Sequence, residues 1–294
     1  MKFLTLNRLK RWNFCDRPWL WSLCLSLLIL LWQPIAHAGP LSDRVAAFPQ
    51  WQGQPPVQTA KGDLVYPEWL AGTWKVTSTL VDLAAPLAPE VVTPGFESNR
   101  QYLQQPINFE VRFGPNAAPK SIGALSLPLP QPQRASQIVA DRAFNGLNIA
   151  KAYLGDRAVL AVKTDPNSPN RQITLLRGDR QLVSIVTGRA TETPAPDQFI
   201  TTEVFQQQFR GAPQLYFNQV ETTTAYQKAK TVEEPAIVAD QITAVYLSPQ
   251  DPDYFKAGGL SNSRPVALYR YRLEFFPVSS ADKVIGTSTV NAVR

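Results

Sequence analysis

Beyond residue 38 the chain contains no histidine, no cysteine and no methionine. Its single His (His37), both Cys (Cys15, Cys24) and its one Met (Met1) fall in the first 38 residues. Imidazole, the commonest general base and metal ligand, and thiolate, the strongest ordinary nucleophile, are therefore missing from the remaining 256 residues. No disulfide can staple that part, and at its length it buries a self-sufficient core without one. A run of Lys and Arg interleaved with aromatics is also missing. The whole-chain charge of +6 tempts a nucleic-acid reading, but setting aside the first 38 residues leaves 24 basic against 22 acidic groups.

The first 38 residues read as a signal peptide. Lys2, Arg8, Lys10, Arg11 and Arg17 form a positive n-region, Trp19 to Ile35 the apolar segment, and Ala36-His37-Ala38 a small-x-small cleavage site. The rival is a membrane anchor, because Trp19 to Ala38 is long enough to cross a bilayer. Pro34 and the small residues at its end favour cleavage, with no transmembrane span left afterwards. Leu23 before Cys24 speaks against a lipoprotein, and Lys10-Arg11 is a poor twin-arginine signal.

What is present is period-two alternation. Trp74, Val76 and Leu80 alternate with Lys75, Thr77 and Thr79, and Ile107 to Phe113 repeats the pattern. Further strands are expected at 158–164, 171–177, 180–187, 199–209, 214–227, 237–247 and 265–276. Gly178-Asp179 reads as a tight hairpin turn, so Arg177-Gly178-Asp179 is turn chemistry before it is an adhesion signal. Asn145-Gly146 is a second turn signal, within a stretch, 137–154, that could instead hold a short helix. Proline clusters at 86–94 and 115–132 mark loops, since proline cannot sit in a central strand. The expected organisation is a signal peptide at 1–38, an extended arm at 39–65, one β domain at 66–278 and a polar tail at 279–294. So many antiparallel runs predict an all-β fold that removes its edges by closing, an antiparallel barrel of about eight to ten strands with long loops and few helices.

Gly72-Thr73-Trp74, at the entry to the first strong strand, resembles the Gly-x-Trp signature of lipocalins, in which the Trp closes the base of the barrel. The resemblance implies an Arg from the last strand stacked on that Trp, with Arg270 and Arg272 the residues in place. More widely, Tyr66 through Phe113, with Val92-Thr93-Pro94-Gly95-Phe96 and Asn99-Arg100-Gln101-Tyr102, resembles an uncharacterised, exported, lipocalin-like family of cyanobacteria and plant plastids, over most of 60–278. It implies a location in the thylakoid lumen or periplasm and carries over no catalytic residue. The chain departs from secreted lipocalins in lacking their disulfide.

In 265–276 one strand face reads Tyr269, Tyr271, Leu273, Phe275 and the other Leu268, Arg270, Arg272, Glu274. The first is expected inside and the second outside. Thr201-Thr202 and Thr222-Thr223-Thr224 put hydroxyls on both faces of their strands, which suits a wet, directional lumen or strands exposed on two sides. These features favour a non-catalytic binding protein for an amphiphile, such as a pigment, tetrapyrrole or lipid, with no other cofactor and no metal. Its candidate ligand residues are Tyr269 and Tyr271 as apolar lining, Arg100, Arg270 and Arg272 as anion partners, and Tyr102 beside Arg100. One alternative is an assembly factor that recognises a membrane-associated protein through the loops at 84–105 and 114–136. The other is a hydrolase using carboxylates, for which Asp251-Pro252-Asp253 and Glu233-Glu234 are weak material, as Ser280-x-x-Lys283 in the polar tail is for a Ser-Lys dyad.

Overall fold

The alternating runs become strands because each has an apolar parity to bury. The computed structural model describes residues 39–93, 95–116, 136–211, 215–231, 235–259 and 262–278. The leader, most of the second proline cluster, Glu233-Glu234 and the tail with Ser280 and Lys283 lie outside the described residues. Twelve strands form: β1 (Gln58–Thr59), β2 (Val65–Tyr66), β3 (Gly72–Ala84), β4 (Pro106–Pro115), β5 (Ile138–Ala140), β6 (Val159–Asp165), β7 (Ser168–Leu176), β8 (Arg180–Glu192), β9 (Gln198–Arg210), β10 (Tyr216–Lys228), β11 (Ile237–Tyr246) and β12 (Ala267–Pro277).

All strand pairs are antiparallel, in the order β2-β5-β4-β3-β12-β11-β10-β9-β8-β7-β6, with β1 added to β8. From β6 to β12 the chain is an up-and-down meander, and the last strand then pairs with β3, the first long one. The sheet curls into a half-barrel whose strand order ends at β2 on one side and at β6 on the other. Two pieces link parts of the wall that are far apart in that order. The segment 58–66 pairs through β1 with β8 and through β2 with β5. A helix, Arg142–Leu154, packs on β4, β6 and β7.

Asn145-Gly146 therefore lies in a helix, not in a turn. Asp141 caps it, its Oδ1 accepting from Phe144 N at 3.0 Å. Asn145 then acts as a stand-in strand partner: Oδ1 accepts from Arg112 N at 2.7 Å, and Nδ2 donates to Arg112 O at 3.1 Å. At Gly146 a Cβ would come within 2.7 Å of the flexible end of the Gln172 side chain on β7, a contact that can yield. Asn145 is thus the turn-forming residue used for docking on the sheet. The expected hairpin between β7 and β8 does form, with Gly178 and Asp179 at φ of 78° and 56°.

The core on the concave face joins Trp74, Val76, Val111, Phe113, Phe199, Tyr226, Leu273 and Phe275, with Tyr66 packed edge-on to Phe113 at 4.8 Å. Gly72 enters β3 at φ 130°, and Trp74 Nε1 donates to Leu70 O at 2.9 Å. The expected Arg on Trp74 is not there: Phe275 meets the indole edge-on at 6.4 Å, and strand parity sends Arg270 and Arg272 to the other face. Among the described residues the arginines over aromatic rings are Arg44, Arg100, Arg112 and Arg270, over Trp51, Phe96, Phe144 and Phe48.

The stretch expected to be an extended arm opens with a helix, Pro40–Ala46, aided by proline in its first turn. It covers part of the convex face, where Phe48 and Trp51 pack on Ile242, Ala244, Tyr246 and Leu268. Arg44 reaches Glu221 with two bonds of 2.6 and 2.7 Å and Tyr246 OH at 3.0 Å. Glu221 is fully buried. The hydroxyls on both faces of β9 and β10 are thereby explained without exposure. Thr202 and Thr223 bond to each other on the convex side, and Thr223 also donates to Glu221; Thr201, Thr222 and Thr224 face inward.

Candidate functional site

Inside the curl is a cavity of about 260 Å³. Its apolar part is made by inward positions of the central strands, Val76, Phe109, Val111, Leu273 and Phe275, and its polar part by Thr201, Glu203, Thr222, Thr224 and Gln241. The helix 142–154 supplies the remaining wall through Asn145, Ile149 and Tyr153, which share one face at a four-residue spacing. Tyr153 OH lies 3.0 Å from Ser78 Oγ on β3, so a side-chain bond ties the helix to the barrel wall. A neighbouring recess of about 180 Å³ shares Phe205 and Thr222 with the cavity and adds Arg142, Asn170, Ser184 and Gln207.

A buried ion cluster stands where the two meet. Glu203 Oε1 accepts from Arg142 Nη2 at 2.9 Å and from Arg189 Nη2 and Nε at 2.6 and 2.9 Å. Arg142 also lies 3.8 Å from Asp63, and Arg189 donates to Gly62 O and Asn170 Oδ1. Burial disfavours the Arg142 cation, but the charge and hydrogen bonding of Glu203 outweigh it and hold the guanidinium protonated. Two cations face two anions, so the cluster adds no net charge to the interior. Burial, with smaller contributions from Tyr226 and Glu203, raises the Tyr66 phenol well above its ordinary pKa; burial and Glu203 raise Tyr226. Both phenols remain neutral donors at physiological pH.

One polar atom in this cavity is unsatisfied. Thr201 is 5 % exposed, and its Oγ1 is buried without a hydrogen-bond partner among the described residues. Buried hydroxyls are nearly always paired, so this one marks where a guest's polar group would be stabilised.

The residues singled out from sequence are not assembled around this cavity. Tyr269 and Tyr271 share the concave parity with Leu273 and Phe275 but lie toward the other end of β12, where Tyr269 OH accepts from Asn99 Nδ2 at 3.0 Å. Arg270 is on the convex face, bound to Asp240 at 2.9 Å and stacked over Phe48, while Arg272 donates to Glu274 at 3.1 Å. Arg100 pairs with Glu97 at 3.0 Å in the loop before β4, its side chain half exposed, and Tyr102 next to it is also half exposed. Phe96 of that loop is buried against Tyr269. Sequence reasoning missed Glu203, Arg142 and Arg189. The available signal was an acidic residue on the same parity as Phe199, Thr201 and Phe205, because an inward carboxylate requires a cationic partner.

A family model described as "Domain of unknown function (DUF6816)" matches residues 58–279. The chain belongs to this family. The match begins at β1 and runs past the end of β12, so it takes in the wall, the bridging segment 58–66 and the helix 142–154, and leaves out the helix 40–46. No curated protein and no solved structure matches the chain. Among the described residues no group of three or more acidic, His or Cys side chains is placed to hold a metal ion, and no helix is long and apolar enough to cross a membrane.

Proposed function

We propose that the domain is a non-catalytic, lipocalin-like binding protein for a small amphiphile with an uncharged polar head. The observation that carries this is the unpartnered, buried Thr201 hydroxyl at the polar end of a cavity whose other end is aliphatic and aromatic. Pairing of the first long strand with the last and the Gly-x-Trp entry at Gly72 support the lipocalin-like part of the reading. Drug-sized ligands occupy roughly 300–1,000 Å³. At about 260 Å³ the cavity argues for a short-chain or single-ring molecule over the pigments and tetrapyrroles expected from the sequence. The internal charge balance favours a hydroxyl, carbonyl or amide head over a carboxylate. Export through the leader remains part of this reading, and intact-mass measurement of protein recovered from the periplasm reads the cleavage after Ala38.

Calorimetric titration with 1-octanol and with octanoate tests the proposal. Saturable binding of the alcohol is expected, with weaker binding of the anion. Thr201→Val should weaken the alcohol roughly three- to tenfold, the loss of one neutral hydrogen bond. Ile149→Trp, which adds bulk at the partly exposed helix side of the cavity, should weaken binding. The proposal fails if neither probe binds and organic extraction releases no small molecule, or if both variants bind as the parent does.

A further inference from the structure

A second concavity lies on the outside of the barrel, walled off from the first by the sheet. Its volume is about 620 Å³. The floor is a cross-strand row on the convex face: Gln206 of β9 is paired directly with Gln219 of β10, and Thr187 of β8 stands beside it at the bulge in the β8–β9 ladder. One wall is Gln54 of the N-terminal arm, whose Nε2 donates to Gln219 Oε1 at 2.7 Å. The opposite wall is the connection from β11 to β12, with Ser248 and Gln250 at its rim and Tyr254 behind, and Phe217 enters from β10.

None of the described residues lining this cleft is charged, in a chain where 18 % of residues are. The nearest carboxylate in sequence, Asp251, is turned to its own loop, accepting from Ser248 N at 2.7 Å. Gln54, Gln206 and Gln250 are exposed, so their amides are free to bond outward, each offering two donors and an acceptor. The Gln54–Gln219 bond uses one donor and one acceptor and leaves the rest of both groups available. The lining thus combines neutral two-way hydrogen-bonding groups with the half-buried Phe217 ring. A ligand matching it needs many hydroxyls that donate and accept, no formal charge and an apolar C–H face to lie on an aromatic ring.

We infer that this outer cleft binds a neutral saccharide of two to three sugar units. An anionic ligand would find no cation in the lining, and an apolar one would strand the amides without partners. The site is independent of the inner cavity, with which it shares no lining residue.

Titration of the isotope-labelled protein with maltotriose, cellotriose and N,N′,N″-triacetylchitotriose, with trigalacturonate as the anionic comparator, tests the inference by NMR. At least one neutral trisaccharide should shift the side-chain amide signals of the cleft glutamines saturably, and trigalacturonate should not. Gln206→Ala, at an exposed position that tolerates truncation, should weaken that binding roughly three- to tenfold. Phe217→Ala should weaken it further, while Thr201→Val in the inner cavity should leave it unchanged. No shift with any neutral trisaccharide would overturn the inference, as would preferential binding of the anion or of a neutral glutamine-rich peptide. Binding that survives both cleft variants would overturn it equally.

Discussion

Replacing Arg44 by alanine should cost more stability than any exposed charge substitution in this chain. Arg44 donates to both oxygens of Glu221, to Tyr246 OH and to Gly53 O, and stacks at 4.0 Å over Trp51. Its partner carboxylate has no solvent exposure. Removing one member of such a pair leaves the other charge desolvated and uncompensated, a loss of about 3–5 kcal/mol, against about 0–1 kcal/mol for a surface pair such as Arg100–Glu97. For a domain of this size that is a fall of roughly 6–20 °C in Tm. Denaturant unfolding followed by tryptophan fluorescence is the assay, since Trp51 sits on Arg44 and reports the arm directly. The double variant Arg44→Met with Glu221→Gln removes both charges and leaves an amide that accepts from one of the Tyr246 and Thr223 hydroxyls and donates to the other, so it should recover at least half of the loss. A single-variant loss below about 1 kcal/mol would refute the reasoning. It would mean that the arm is held by Phe48 and Trp51 alone and that the buried pair is energetically idle.

Alkaline titration should show two classes of tyrosine. Burial, then Glu221, raises Tyr246, and burial, then Glu203, raises Tyr226, so the folded state retains protons that the unfolded state releases above pH 10. Stability is therefore full below that pH and falls above it, by up to about 1.4 kcal/mol for each of these two at pH 11. The late rise in phenolate absorbance should coincide with loss of the strand circular dichroism signal; ionisation of all tyrosines before unfolding would contradict the burial. Two glycines should respond oppositely to alanine. Gly72→Ala, at φ 130°, should lose about 1–3 kcal/mol. Gly146→Ala should be neutral or stabilising by up to about 1 kcal/mol, because only the mobile end of Gln172 must yield and the helix gains propensity; equal losses at both positions would show that the contact with β7 is rigid.

The strands were legible because every long one carries an apolar parity of its own. β3, β4 and β6 through β12 all lie where alternation predicts them, and Gly178-Asp179 turns as its chemistry requires. What the sequence hides is which side of a strand another element will cover. Leu268, Arg270 and Arg272 look like an outer face in water, yet Leu268 is fully buried and Arg270 is stacked on Phe48, because the arm lies there. The hydroxyl runs of β9 and β10 resist reading for the same reason, one parity lining a cavity and the other supporting a buried ion pair. Asn145-Gly146 is a local turn signal overridden by tertiary use, the Asn145 amide completing the backbone bonding of β4. Arg189 and Glu203 face each other across the β8–β9 ladder, and only the docking of the helix on the sheet brings Arg142 to them.

The interior carries charge where the helix and the bridging segment meet the sheet. A buried ion cluster is a poor stabiliser compared with well-packed apolar groups, so its presence calls for a reason in specificity. Here Asp63 and the Gly62 carbonyl belong to the bridging segment and Arg142 to the helix, while Arg189 and Glu203 are register partners on the neighbouring strands β8 and β9. The strand order ends at β2 and at β6, and β1 pairs with β8 through two residues. The Glu203 carboxylate adds a directional tie from the helix to β8 and β9. Its charge is taken up by the two guanidinium groups that it binds. On the proposed binding reading, recognition within the cavity would fall to groups that the ion cluster leaves unpartnered, foremost the Thr201 hydroxyl, and a neutral head group would fit there better than an anion.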